Sequence, residues 1–369
     1  MGFAVKPTIE IYKSLVGFVE AKELGKTDLI VTNEFVLKPQ MGDKELPCDV
    51  LYQEKYGNGE PNDEMVSAML SDVQGKGYTR IIAIGGGTVI DISKLLVFGD
   101  GYTLDELYAQ GATLPKKREL IAVPTTCGTG SEVTNISIVY FKKKRTKFGL
   151  VVPQLFPDES ALIPDMLKSL PYEVFAASSI DALIHAAESQ VSPGRATPFS
   201  RMFGKEAINK ILKGYMKIRE TGKHELPEEM EDYMVASTMA GIAFVNAGCA
   251  SVHALAFPIG GIYHVPHGMA TYMVFEETFK MDKELGGNLS ELEKVLAEVF
   301  ECDESESIDK MFDLLGYILD RKKLAEFDVT EDICAEMAAT VVDSQQRLLI
   351  NNPVNLTVDQ IKTIYMRCI

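Results

Sequence analysis

Four of the five histidines in this 369-residue chain fall in two short segments. The first, DALIHAAESQ at residues 181–190, sets Asp181 and His185 four apart, which on a helix puts both on one face, with Glu188 a turn further along the same stripe. Alone, such a pair reads as an ordinary amphipathic helix. The second, SVHALAFPIGGIYHVPHGMA at 251–270, holds His253, His264 and His267. Pro258, Gly260, Gly261 and Pro266 are expected to break the helical pattern there, giving one helix that carries His253, a turn, and a new helix beginning at His267. With Asp181 and His185 these make a plausible site of three histidines and one carboxylate. Neutral imidazoles and a carboxylate suit Fe(II) or Zn(II). The six cysteines (Cys48, Cys127, Cys249, Cys302, Cys334, Cys368) have no Cys-x-x-Cys spacing, which excludes a thiolate-rich zinc site and points to reduced, structural thiols.

A second chemistry is written in the glycines. RIIAIGGGTVIDISK places Gly85, Gly86 and Gly87 between an apolar strand and a helix expected to start near Thr88. There the backbone can approach a phosphate, and unpaired N–H groups at the helix start favour negative charge. The usual dinucleotide fingerprint fails because Ile90 stands at its last glycine, and the P-loop lacks its Gly-Lys-Ser/Thr. A tight structural turn is the alternative. After the next strand, AVPTTCGTGSEVTN (122–135) supplies Thr125, Thr126, Thr129, Ser131 and Thr134 amid two glycines, suited to polar contacts at the carboxyl edge of a parallel sheet. Two such loops after two strands favour a nucleotide over two plain loops.

The elements that must position these groups read as two architectures. DLIVTN (28–33), DVLYQ (49–53), RIIAIG (80–85) and ELIAVP (119–124) are strand-like and alternate with helical windows at 62–77 and 88–99, the pattern of a Rossmann-like parallel sheet. ISIVYF and KFGLVV, joined by the basic run KKKR (142–145), read as an added antiparallel hairpin with a solvated turn. From about Pro171 the period changes to 3.6 residues and strand-like runs become scarce. The expected organisation is an α/β dinucleotide-binding domain over 1–170 and an all-α metal-binding domain over 171–369. Formal net charge of −16 argues against nucleic acid as a partner. No window approaches eighteen consecutive apolar residues and the N-terminus lacks a signal-peptide core, so no membrane partner and a cytoplasmic protein are expected.

GGGTVID, PTTCGTGSEVT, DALIHAAE and HALAFPIGGIYHVPHG, in that order, resemble the iron-containing (group III) alcohol dehydrogenase family over nearly the whole chain. The resemblance implies a dinucleotide-binding α/β domain, a helical metal-binding domain and substrate held in the cleft between them. It also implies NAD as cofactor, with NADP not excluded, Fe2+ or Zn2+ as metal, and a small alcohol or aldehyde, a hydroxy acid in particular, as substrate. Relatives form dimers or larger assemblies, so a homo-oligomer is expected. Carried over by position, the metal ligands fall on Asp181, His185, His253 and His267. The pyrophosphate site falls on Gly85, Gly86, Gly87 and Thr88, with Asp91 as the loop acid. Thr125, Thr126, Thr129 and Ser131 match the second cofactor loop, and Lys147 resembles a lysine that approaches the cofactor.

Three positions depart from the pattern. Phe257 stands where several relatives have a further histidine implicated in proton handling, and His264 is the candidate to take that role. Asn33 stands where an Asp often repels the extra phosphate of NADP. Val354, in NNPV, replaces a frequent arginine. Arg347, in SQQRLLINN, is a candidate anchor for a substrate carboxylate, with a surface or interdomain salt bridge as the ordinary alternative. Two other classes remain open at this stage: a dehydroquinate synthase-like lyase that uses NAD transiently, and a non-enzymatic metal or nucleotide sensor.

Overall fold

The computed structural model describes residues 2–42, 44–144 and 146–369. The chain divides into two compact units, Val5–Leu170 and Pro171–Ile369, the second also taking in Gly2, Phe3 and Ala4.

In the first unit the strands are β1 (Thr8–Ile11), β2 (Asp28–Thr32), β3 (Asp49–Tyr52), β4 (Arg80–Gly85), β5 (Glu119–Pro124), β6 (Ile136–Phe141), β7 (Thr146–Val151) and β8 (Glu159–Leu162). Its α-helices are α1 (Leu15–Ala21), α2 (Glu34–Met41), α3 (Asp63–Val73), α4 (Gly87–Leu96) and α5 (Leu104–Gln110). Six strands form a sheet in the order β1-β8-β5-β4-β2-β3, with every pairing parallel. Successive side chains leave opposite faces of a strand, and the core divides accordingly. Leu29, Val31, Ile81, Ala83, Leu120 and Ala122 pack with α3, α4, α5 and the hairpin. Ile30, Ile82, Ile84, Ile121 and Val123 pack with α1 and α2. Burial on both faces explains why β4 and β5 read as unbroken apolar runs.

The antiparallel pair β6–β7 is present as expected. Lys142–Lys144 form a short exposed 3-10 turn, and Arg145, the last residue of the basic run, lies outside the described residues. Sequence reading missed β1 and β8. Four-residue ESAL has too few apolar letters to signal a strand, yet all four residues are buried because β8 is inserted between β5 and β1.

Among the described residues the second unit has no strand. Its helices are α6 (Tyr172–Val191), α7 (Pro198–Thr221), α8 (Met230–Ala247), α9 (Ser251–Tyr263), α10 (His267–Glu284), α11 (Ser290–Phe300), α12 (Glu304–Ile318), α13 (Glu331–Ser344), α14 (Gln346–Leu349) and α15 (Val358–Arg367). From Ser179 to Val191, α6 is buried on every side, as a central helix must be, and α7, α8 and α10 surround it. Gly204 lets α7 cross it closely, since a Cβ there would meet Gln190 Nε2 at 2.2 Å.

One expectation needs correction. The helix carrying His253 is not broken at Pro258 or at the glycines; α9 runs to Tyr263. An interior proline costs about 3 kcal/mol. Val252, Leu255 and Ile259 on the same helix are fully buried, each worth about 1.5–3 kcal/mol, which offsets it. The break falls at His264, in the left-handed region at φ 55°, and Pro266 then caps the start of α10. Among the described residues no single helix is long and apolar enough to cross a membrane.

Candidate metal centre and cofactor loops

Asp181, His185 and Glu188 are buried in the middle of α6 at 2%, 4% and 1% exposure. A buried polar group is costly unless it is paired, so each should have a partner. One donor atom from each of Asp181, His185, His253 and His267 lies within 4.8 Å of all the others. Asp181 is the hub: its Oδ1 is 3.7 Å from both His253 Nε2 and His267 Nε2, and its Oδ2 is 3.9 Å from His185 Nδ1. Three helices therefore converge, α6 with two of the groups, α9 with one, and α10 with one at its first residue.

The surroundings fix these side chains. Glu188 Oε2 lies 2.7 Å from His253 Nδ1, and the same carboxylate accepts the backbone N–H of Ala250 and Val252. That contact places the proton on Nδ1 and leaves the lone pair of Nε2 facing Asp181. Burial, the largest single influence, would lower the His253 pKa, but the Glu188 and Asp181 carboxylates together outweigh it and the net shift is upward. Thr271 Oγ1 donates to Asp181 Oδ1 at 3.0 Å. The His185 ring stacks between Phe244 at 4.2 Å and His253 at 4.3 Å.

His253 Nε2 is buried with no hydrogen-bond partner among the described residues. An orphaned imidazole nitrogen beside a carboxylate and two further imidazoles is a donor set suited to a divalent first-row metal. Glu188 then stands as the partner that orients a ligand through its other ring nitrogen. His264 is not part of this cluster; it is exposed, at the end of α9. Phe257, one turn after His253, has its ring 6.3 Å from that of His267 and can carry no proton.

The glycine and threonine loops meet at the carboxyl edge of the sheet, where β4 and β5 run in register to Gly85↔Pro124. None of the three glycines has positive φ; close approach explains them. A Cβ on Gly85 would strike Val89 Cβ at 2.5 Å, and one on Gly87 would meet Thr129 Cγ2 at 2.8 Å. α4 begins at Gly87, one residue earlier than expected, and its N-terminus has no side-chain cap, so those N–H groups are not taken by a side chain. Thr88 Oγ1 donates to Gly59 O, and Thr125 N to Gly85 O. Thr126 and Thr129 keep partial exposure.

Asp91 and Ser131 have a different setting. Asp91 accepts from Ser131 Oγ and from Ile138 N, while Lys94, fully buried, donates to Ser131 Oγ, Thr134 Oγ1 and Ile136 O. Burial pulls the Lys94 pKa down to about 8 and pushes that of Asp91 up. This network ties the threonine loop to α4. Sequence reading missed Lys94, whose signal is its position one turn after Asp91. Lys147, buried at 3% exposure, is ion-paired with Glu60.

Asn33 caps the carboxyl end of β2, beside β4. Its Nδ2 donates to Gln53 Oε1 and to Glu54 Oε2, both at 2.9 Å, and Glu54 Oε1 accepts from Glu34 N. Glu54, unnoticed in the sequence, thus brings a carboxylate to the strand end where Asn33 lacks one. Val354 packs against Gly287, and nothing in the structure explains its difference from relatives.

Sequence profiles match both units. The one described as iron-containing alcohol dehydrogenase spans residues 18–164, and the one described as Fe-containing alcohol dehydrogenase family, C-terminal, spans 175–369. The chain belongs to the iron-containing alcohol dehydrogenase family. Its reaction class is that of an oxidoreductase acting on CH–OH groups, which sets aside the lyase and sensor readings. Among alcohol dehydrogenase relatives, the chain is 45% identical over 350 residues to 4-hydroxybutyrate dehydrogenase of Clostridium kluyveri, covering 94% of each chain. It is 32% identical over 371 residues to long-chain-alcohol dehydrogenase 1 of Geobacillus thermodenitrificans, covering 94% and 90%. The fold is similar to sulfoacetaldehyde reductase from Bifidobacterium kashiwanohense in complex with NAD+, with TM-score 0.82, 25% identity, and 100% and 98% of the two chains covered.

Proposed function

We propose that this iron-type dehydrogenase interconverts 4-hydroxybutyrate and succinate semialdehyde: 4-hydroxybutyrate and NAD+ give succinate semialdehyde, NADH and a proton. One observation carries the substrate, the 45% identity that extends over 94% of both chains with a 4-hydroxybutyrate dehydrogenase. Asp181, His185, His253 and His267 are the residues that would hold Fe2+ or Zn2+. Such a metal, when bound, supplies Lewis acidity to the alcohol oxygen. Glu188 keeps the proton on His253 Nδ1, and Thr271 fixes the Asp181 carboxylate. Gly85, Gly86, Gly87 and Thr88 offer backbone and hydroxyl donors to the cofactor pyrophosphate, with Thr125, Thr126 and Thr129 beside them. Asp91, Ser131 and Lys147 act through position, holding that loop and hairpin. His264, exposed and three residues before His267, exchanges the reaction proton with solvent in place of the histidine that Phe257 replaces. Steady-state assays on a panel of hydroxy acids and alcohols test the reading. It expects NADH formation with 4-hydroxybutyrate at the highest kcat/KM of the panel; turnover of simple alcohols alone would overturn it.

The cofactor preference follows from Glu54. In sheets of this kind an acidic side chain at the end of the strand beside the phosphate loop reads the ribose 2′-hydroxyl and repels a 2′-phosphate. Glu54, held by Asn33 and Glu34 N, fills that role, so NAD should be preferred to NADP. Glu54→Gln should narrow the NAD over NADP ratio of kcat/KM by roughly tenfold or more, a modest part of the Coulomb energy of neighbouring charges near a surface. An unchanged ratio would remove Glu54 from cofactor selection.

A further inference from the structure

Lys94 is a buried charged group that the proposed reaction does not use. It follows Gly87 on α4 by about two helical turns, so the two residues lie on one face of the helix. Its side chain is fully buried. An ammonium has three protons to donate and no lone pair with which to accept. All three are taken, by Ser131 Oγ at 2.7 Å, Thr134 Oγ1 at 3.0 Å and Ile136 O at 2.7 Å, while Asp91 Oδ1 stands 3.6 Å from Nζ. Ser131 Oγ gives its own proton to Asp91, so that hydroxyl is pinned as donor and as acceptor. A single side chain of α4 thus holds the segment after β5 from Ser131 to Ile136.

The same segment is continuous with the hydroxyls that face the glycine turn. Gly130, at φ 58°, turns the chain between Thr129 and Ser131, and Ser131 N donates to Thr129 Oγ1 at 3.2 Å. Thr129 is seated on Gly87, where a Cβ would lie 2.8 Å from Thr129 Cγ2; one on Gly86 would lie 3.4 Å from Thr126 Cγ2. Gly87 and Lys94 therefore grip the loop at two points of one rigid helix, and the reach of the Lys94 side chain sets the gap between the glycine N–H groups and the threonine hydroxyls. Burial brings the Lys94 pKa down to about 8, against the charges of Asp91 on its own helix and Glu132 in the loop. Tyr108 of α5, in the field of Asp91, donates its hydroxyl to Ser137 O and Phe148 O on the hairpin. Once deprotonated, Lys94 has two protons for three acceptors, and the loop loses a tie.

We infer that Lys94 is a positioning residue for the dinucleotide: its charged form holds Thr126 and Thr129 at the distance from the glycine turn that NAD binding requires. This rests on the placement of the cofactor at these two loops and is independent of which alcohol is oxidised. Lys94 acts through the loop, so cofactor affinity carries its effect and turnover at saturating NAD does not.

The test is fluorescence titration with NADH over about pH 7 to 10, spanning the shifted and the ordinary lysine range, with thermal melts, metal analysis and kcat on the same samples. The wild-type Kd should rise by roughly tenfold through a midpoint near pH 8, as one hydrogen bond from a charged donor is lost. Lys94→Met should bind NADH about 10- to 100-fold more weakly at neutral pH, and its weakened Kd should no longer change across that midpoint. Its kcat at saturating NAD should stay within about threefold of the wild type, because no bond to the reacting atoms is removed. Thr134→Val keeps the shape and removes one acceptor, so it should weaken NADH binding by about three- to tenfold; it carries the test should Lys94→Met not fold. Gly87→Ala, whose Cβ meets Thr129, is the reference for where the cofactor sits and should weaken NADH binding by itself. A weakened Gly87→Ala beside wild-type affinity in the other two variants overturns the role of Lys94 and leaves the cofactor at the loops. Unchanged affinity in all three overturns the placement of the cofactor as well. A pH midpoint retained in Lys94→Met, or a loss shared equally by NADH affinity, kcat and metal content, also overturns the inference.

Discussion

Asp181→Ala should lower kcat/KM for alcohol oxidation by roughly a thousandfold or more and should strip the protein of its divalent metal. Loss of an outer partner of a ligand typically costs 10- to 100-fold, and Asp181 would be a ligand itself, the only carboxylate in the set. Its oxygens lie 3.7–3.9 Å from nitrogens of all three histidines, so its removal leaves three imidazoles without the negative charge that offsets a dication. NAD affinity should stay within about twofold, because the glycine and threonine loops belong to the other compact unit. Metal analysis of the purified variant and fluorescence titration with NADH separate the two effects. Retained metal with lost turnover would mean that Asp181 serves chemistry and not binding.

Gly268→Ala is expected to be the most disruptive single methyl in the protein's second unit. The added Cβ would lie 2.3 Å from Ala177 O and 2.8 Å from Ala177 C, backbone atoms of α6 that cannot swing away. Relief requires the start of α10 to move off α6, and His267 is the residue next to Gly268. Overpacking of this sort costs about 1–3 kcal/mol of stability. The displaced His267 should also weaken metal binding by about 10- to 100-fold, the range for a disturbed ligand environment. Gly316→Ala is the control: nothing lies within 4 Å of its Cβ, and the change should be neutral or stabilise by up to about 1 kcal/mol. Thermal melts with and without metal measure both. Equal behaviour of the two variants would show that the α6–α10 contact does not set the geometry of the centre.

The sequence was most legible where burial is symmetrical. β4 and β5 are buried on both faces, so their letters are apolar throughout, and the glycine run between β4 and α4 punctuates them unmistakably. β8 was invisible because its burial depends on β1 and β5, which are remote in sequence, and its own letters are Glu, Ser, Ala and Leu. Pro258 misled because a local rule about helices was overruled by the burial of α9 as a whole. For the site, spacing paired Asp181 with His185, but nothing local could pair them with His253, some seventy residues on. Glu54 was missed for a related reason: it gains meaning only from a neighbour on another element, Asn33.

The central claim is that Asp181, His185, His253 and His267 hold one divalent metal on which a 4-hydroxybutyrate dehydrogenase depends. The most direct measurement is anaerobic titration of chelator-treated protein with Fe(II), following NAD-dependent oxidation of 4-hydroxybutyrate. Activity should rise linearly and saturate at one metal per chain, and Asp181→Ala should neither bind the metal nor recover. Full activity in verified metal-free protein would contradict the account.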